Sequence, residues 1–172
     1  MKKIGVILGV FALLVYCASD GQSQEVSPKV GDNAPDCSLV DASGNEIRLG
    51  DFKGKKNVVL VFYSESTWLR SRGWLGELQE KISEIEKLDA EVIAFATSGN
   101  QDDVETSKSV QEITFTLIPK PDRKVVEDFG LKYDYGDWTY GTIIIDKGGI
   151  IRYMNDFNID SASTIIKELQ GI

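Results

Sequence analysis

The chain has 172 residues, 42% apolar and 27% charged, enough for one domain with a proper core and unlike a fibre, a collagen or a disordered polymer. Nineteen basic residues against 27 acidic ones give a formal charge of −8, so a nucleic-acid partner is not expected. Histidine is absent, which removes the commonest general base, the commonest zinc ligand and every Ser-His or Cys-His nucleophilic pair. The acidic residues show no calcium-loop spacing, and neither a metal nor a cofactor is expected.

The opening segment reads as an export signal. Lys2 and Lys3 precede an apolar run from Ile4 to Tyr16 that is shorter than the ~20 residues a membrane span needs. Leu14-Val15-Tyr16-Cys17 resembles a bacterial lipoprotein box, in which Cys17 would be lipidated; Tyr16 departs from the small residue usual before that cysteine. Lipidation, ordinary cleavage nearby and retention as an anchor are the three readings. Residues 1–16 are accordingly read as a signal peptide, 17–27 as a polar tether and 28–172 as one folded domain. The expected location is the cell envelope, as a periplasmic protein or a lipoprotein held at the membrane. Once Cys17 is set aside, Cys37 is the one thiol left, and one thiol forms no internal disulfide.

Beyond Val30, strand and helix patterns alternate, as in a layered α/β domain. Cys37–Val40 and Glu46–Leu49 flank the turn-rich Asp41–Asn45 and predict a small hairpin; Asp51–Lys56 is a short connector. Val58–Tyr63 is a continuous run of β-formers, which suits a strand covered on both faces. Trp74, Leu75, Leu78, Ile82, Ile85 and Leu88 recur at helical spacing. Glu91–Ala96 predicts a second strand parallel to the first, followed by a polar loop and a weaker helix to about Gln111. Phe115–Ile118 is a short strand stopped by Pro119, and Arg123–Phe129 a helix with Gly130 at its left-handed cap. Gly141–Asp146 and Ile150–Met154 pair around Lys147-Gly148-Gly149, and a last helix starts near Asp160.

This order is that of the thioredoxin-like domains: a three-layer α/β sandwich, a central mixed sheet flanked by helices, with an N-terminal β-hairpin. Val30-Gly31-Asp32-Asn33-Ala34-Pro35-Asp36 resembles the entry motif of the peroxiredoxin (alkyl hydroperoxide reductase and thiol-specific antioxidant) family. Pro121-Asp122-Arg123-Lys124 with Phe129-Gly130 is similar to that family's "DPD…YG" segment, and Thr142–Ile151 to its closing hairpin. The likeness spans roughly residues 28–170.

The resemblance implies a peroxide-reactive cysteine at the start of the helix after the central strand, where the positive end of the helix dipole favours a thiolate. Here that segment reads Ser64-Glu65-Ser66-Thr67-Trp68-Leu69-Arg70-Ser71-Arg72-Gly73. Ser71 stands at the cysteine's place, and Trp68 at the place of the family's threonine or of the first cysteine of a Cys-x-x-Cys pair. Tyr140 stands where the family's closing-hairpin arginine, or a thioredoxin's proline, would be. A serine cannot follow the sulfenic-acid route, and no histidine activates it toward acyl groups.

Catalytic residues are therefore not expected at Trp68, Ser71 and Tyr140. Trp68, Trp138 and Tyr140 are read either as fillers of a vacated pocket or as the lining of a ligand or partner surface. Arg70 and Arg72 beside them are either solvated loop charges or ligands for a carboxylate or phosphate. Cys37 is read as a small core residue, as a displaced reactive thiol, or as half of an intermolecular disulfide.

The functional reading is an exported, redox-inactive domain that binds a protein or small-molecule partner and meets the membrane through a lipid anchor. The alternatives are a thiol-dependent antioxidant peroxidase of the same family working through Cys37, and a mainly structural envelope subunit.

Overall fold

The computed structural model describes residues 27–65, 68–132 and 139–172, with backbone alone for 68–72. The chain opens with strands β1 (Ser38–Val40) and β2 (Glu46–Arg48), paired antiparallel. Their turn is held by Asp41, whose carboxylate accepts from the backbone N–H groups of Ser43 and Asn45 at 2.8 Å each. A 3-10 turn, Leu49–Phe52, leads out of the hairpin into the predicted connector.

Strand β3 (Asn57–Ser64) is buried at every position, as its unbroken apolar run requires. It is followed by α1 (Trp68–Glu86), β4 (Ala90–Ser98), α2 (Gln101–Val110) and β5 (Thr116–Pro119). Then come α3 (Arg123–Asp128), the β6 (Gly141–Ile145) and β7 (Ile151–Asn155) hairpin, and α4 (Ala162–Leu169). The five-stranded sheet has the order β5-β4-β3-β6-β7; β3, β4 and β5 run parallel, and β6 and β7 join antiparallel.

The alternation of side chains along β3 divides the core in two. Val59, Val61 and Tyr63 pack with Leu75, Leu78 and Ile85 of α1 and Ile165 of α4. Val58, Leu60 and Phe62 face the other way, toward the hairpin and Val126 and Phe129 around α3. There Phe62 stacks on Phe95 with ring centroids 4.6 Å apart.

Two details differ from the sequence-based expectation. Strand β5 does not stop before Pro119, which pairs with Ala96 at the sheet edge, where no further strand asks for its missing N–H. The last helix is capped by Ser161, whose side chain accepts from the Thr164 N–H; Asp160 instead accepts from the hydroxyl of Tyr153 at 3.1 Å.

Candidate functional site

The C-terminal ends of β3 and β4, the start of α1 and the entry to β6 meet at one end of the sheet. Phe62 pairs with Gly141, and Ser64 with Ser98 across a register shift. Hydroxyl groups tie the strand ends together. Ser64 Oγ lies 2.7 Å from Ser98 Oγ. The Thr97 hydroxyl donates to the Tyr63 carbonyl at 2.9 Å and lies 3.2 Å from the Thr139 carbonyl, while Thr139 donates to the Lys132 carbonyl at 2.9 Å. Thr97 and Thr139 are both buried.

Glu65, the residue after β3, turns inward and is only 5% exposed. Its Oε1 accepts a very short hydrogen bond from the hydroxyl of Ser107, in the second turn of α2. Among the described residues its Oε2 makes no hydrogen bond of good geometry, and neither do the buried Tyr63 Oη and Gln111 Nε2. Burial first, then the nearby Glu65 carboxyl group, push the Tyr63 hydroxyl far above the usual phenol range. Gly99 makes this inward turn feasible: its φ is +90°, and a Cβ there would lie 2.8 Å from Glu65 Cβ.

Among the predicted site residues, Trp68, Arg70, Ser71 and Arg72 fall in the first turns of α1, directly after β3, with their side chains outside the described residues. Cys17 and Trp138 also lie outside the described residues. Tyr140 is half-buried, next to Thr139 and immediately before β6. Backbone placement therefore puts Trp68, Ser71 and Tyr140 on elements that converge at the same end of the sheet.

Cys37 lies elsewhere. It is half-buried and packs with the core on the Phe62 face, whereas Tyr63 and Trp74 belong to the opposite face. Burial, followed by the negative charges of Asp36 and Asp128, pushes its thiol up to about 11.

Sequence reasoning missed the inner polar layer of Glu65, Thr97, Ser107 and Thr139. A signal was present: Ser64-Glu65-Ser66-Thr67 and Thr97-Ser98-Gly99-Asn100 are polar runs that each begin as an apolar strand ends. Which of those polar groups turn inward depends on contacts between segments 42 positions apart.

The profile of the AhpC/TSA family matches residues 30–154. The chain is 29% identical over 127 residues to alkyl hydroperoxide reductase E of Mycobacterium tuberculosis, covering 72% of this chain and 82% of that one. It is 28% identical over 155 residues to the chloroplastic 2-Cys peroxiredoxin of Spinacia oleracea, covering 84% of this chain and 58% of that one. In structure it is similar to the peroxidoxin BcpB of Mycobacterium tuberculosis, with a TM-score of 0.74 at 18% identity over 84% of this chain and 97% of that one. That likeness establishes the thioredoxin-like fold, and the match over residues 30–154 makes the chain a member of the AhpC/TSA family.

Proposed function

We propose that this member of the AhpC/TSA family is an exported binding domain that no longer reduces peroxide. The observation that carries the reading is the position of its thiol. Between Ala18 and Ile172 the sequence contains one cysteine, Cys37, and it packs on the opposite face of the sheet from Tyr63 and Trp74. Peroxide reduction requires a thiolate that becomes a sulfenic acid and is then recycled. The segment from Ser64 to Gly73 supplies no sulfur, and Cys37 is held protonated at neutral pH by burial and two acidic neighbours.

The aromatic and basic residues of the former site then serve recognition. Trp68, Trp138 and Tyr140 offer flat apolar surface, and Arg70 and Arg72 offer bidentate donors for a carboxylate or phosphate group. Lipidation of Cys17 would hold this surface at a membrane.

The state of Cys37 after peroxide treatment tests the reading. The chain is incubated with hydrogen peroxide, unfolded, and titrated with a thiol reagent. Full recovery of one thiol at Cys37 is the expected result; conversion to a sulfenic acid on the timescale of turnover would contradict it.

A further inference from the structure

At the opposite end of the sheet from Glu65 and Tyr140 lies a cleft of about 150 Å³. An apolar cavity of roughly 150 Å³ accommodates one benzene ring. The floor of the cleft is formed by Leu49, Val58 and Ile145, all buried, with the half-buried Phe52 beside them. Lys53 reaches from the end of the 3-10 turn to the β6–β7 turn. A Cβ on Gly149 would lie 3.5 Å from both its Cε and its Nζ, so the stem rests against the bare backbone there.

The charges around the cleft are engaged, with one exception. Lys56 pairs with Glu91 at 2.6 Å. Asp146 accepts from Arg152 at 2.6 Å and from the Ile150 N–H at 2.9 Å. Asp36 accepts from the Gly50 N–H at 3.0 Å. The Lys53 backbone N–H donates to the Gly50 carbonyl at 3.1 Å, but its ammonium has no ion pair or hydrogen bond among the described residues. The cleft thus combines an apolar floor of one-ring size with a single uncommitted cation at its mouth, the pattern of a small-molecule site in which a few polar groups fix orientation.

We propose that this cleft binds a small monocarboxylic acid with an apolar body about the size of a phenyl ring. The carboxylate would sit on the Lys53 ammonium and the body on Leu49, Val58 and Ile145. The inference is independent of the reading of the former peroxide site, so either can fail alone.

The test uses the full chain, labelled with ¹⁵N and titrated with benzoate and, separately, with benzyl alcohol, a neutral probe of similar shape. Benzoate is expected to bind about fivefold tighter, equivalent to about 1 kcal/mol, which is the upper range for an exposed charge pair. Amide shifts should concentrate in residues 49–58 and 145–149. Lys53→Gln, at an exposed position, should abolish the preference for benzoate and leave benzyl alcohol binding unchanged. Equal affinity for the two probes, an undiminished preference in Lys53→Gln, shifts centred elsewhere, or no binding at all would each overturn the proposal.

Discussion

The Ser107 hydroxyl donates to the Glu65 carboxyl group across 42 positions of sequence, with both residues buried. This bond joins the segment that leaves β3 to the second turn of α2. It anchors the chain where it leaves β3. Among the described residues Glu65 Oε2 makes no hydrogen bond of good geometry, so the Ser107 bond to Oε1 is the one the carboxyl group shows there.

Removing that donor should therefore be costly. Ser107→Ala leaves a buried carboxyl oxygen without its partner, and a loss of about 1–3 kcal/mol in unfolding free energy is expected. Urea denaturation of the variant beside the wild type measures it. A loss below about 0.5 kcal/mol, the scale of an ordinary surface substitution, would mean that the bond does not anchor the segment.

Tyr63→Phe should behave in the opposite way. The Tyr63 hydroxyl is buried with no hydrogen bond of good geometry among the described residues, while its ring packs 6.5 Å from that of Trp74. Phenylalanine keeps the ring and removes the unsatisfied oxygen, so the variant should match or exceed wild-type stability. A destabilisation above about 1 kcal/mol, the typical net worth of one hydrogen bond, would show that the hydroxyl is satisfied in solution.

Two glycines close to the site should respond with opposite signs. Gly99 has a φ of +90° and a Cβ there would lie 2.8 Å from Glu65 Cβ, so Gly99→Ala is expected to destabilise by more than about 1 kcal/mol. Gly73 lies within α1 with nothing within 4 Å of a built Cβ, so Gly73→Ala should stabilise by about 0.5–1 kcal/mol. Thermal unfolding of the two variants decides the matter; a shared sign would contradict the geometry at one of them.

The fold was legible in the sequence because each element carried its own local signal. The continuous run Val58–Tyr63, the stripe from Trp74 to Leu88 and the turn at Lys147–Gly149 needed no distant information, and each lies where the pattern placed it. The place of Cys37 beside the opening hairpin, on the Phe62 face of the sheet, follows from its position well before β3. What the sequence concealed was direction. Glu65 and Ser107 are a charged and a polar residue in polar surroundings, and nothing local turns them inward; the close approach of Gly99 and the packing of α2 do so.

Cys37 provides a prediction about pH. Its thiol is raised from 9.0 to about 11 in the folded protein, so the folded state favours the protonated form. The stability it contributes is complete below about pH 9, where both folded and unfolded thiols are protonated, and is lost as pH rises toward 11. Iodoacetamide should accordingly modify native Cys37 slowly at pH 8, with a rate that climbs steadily to about pH 11. A rate that levels off near pH 7 would reveal an activated thiol and favour the peroxidase alternative.

The central claim is that the scaffold persists while its nucleophile is gone, and peroxide consumption tests it most directly. The purified chain is assayed with hydrogen peroxide and dithiothreitol, wild type beside Ser71→Cys, in matched buffers. The account predicts wild-type consumption no faster than the reductant alone and a measurable gain in Ser71→Cys, because that variant restores sulfur to the first turn of α1. Catalytic consumption by the wild type, abolished by Cys37→Ser, would contradict it.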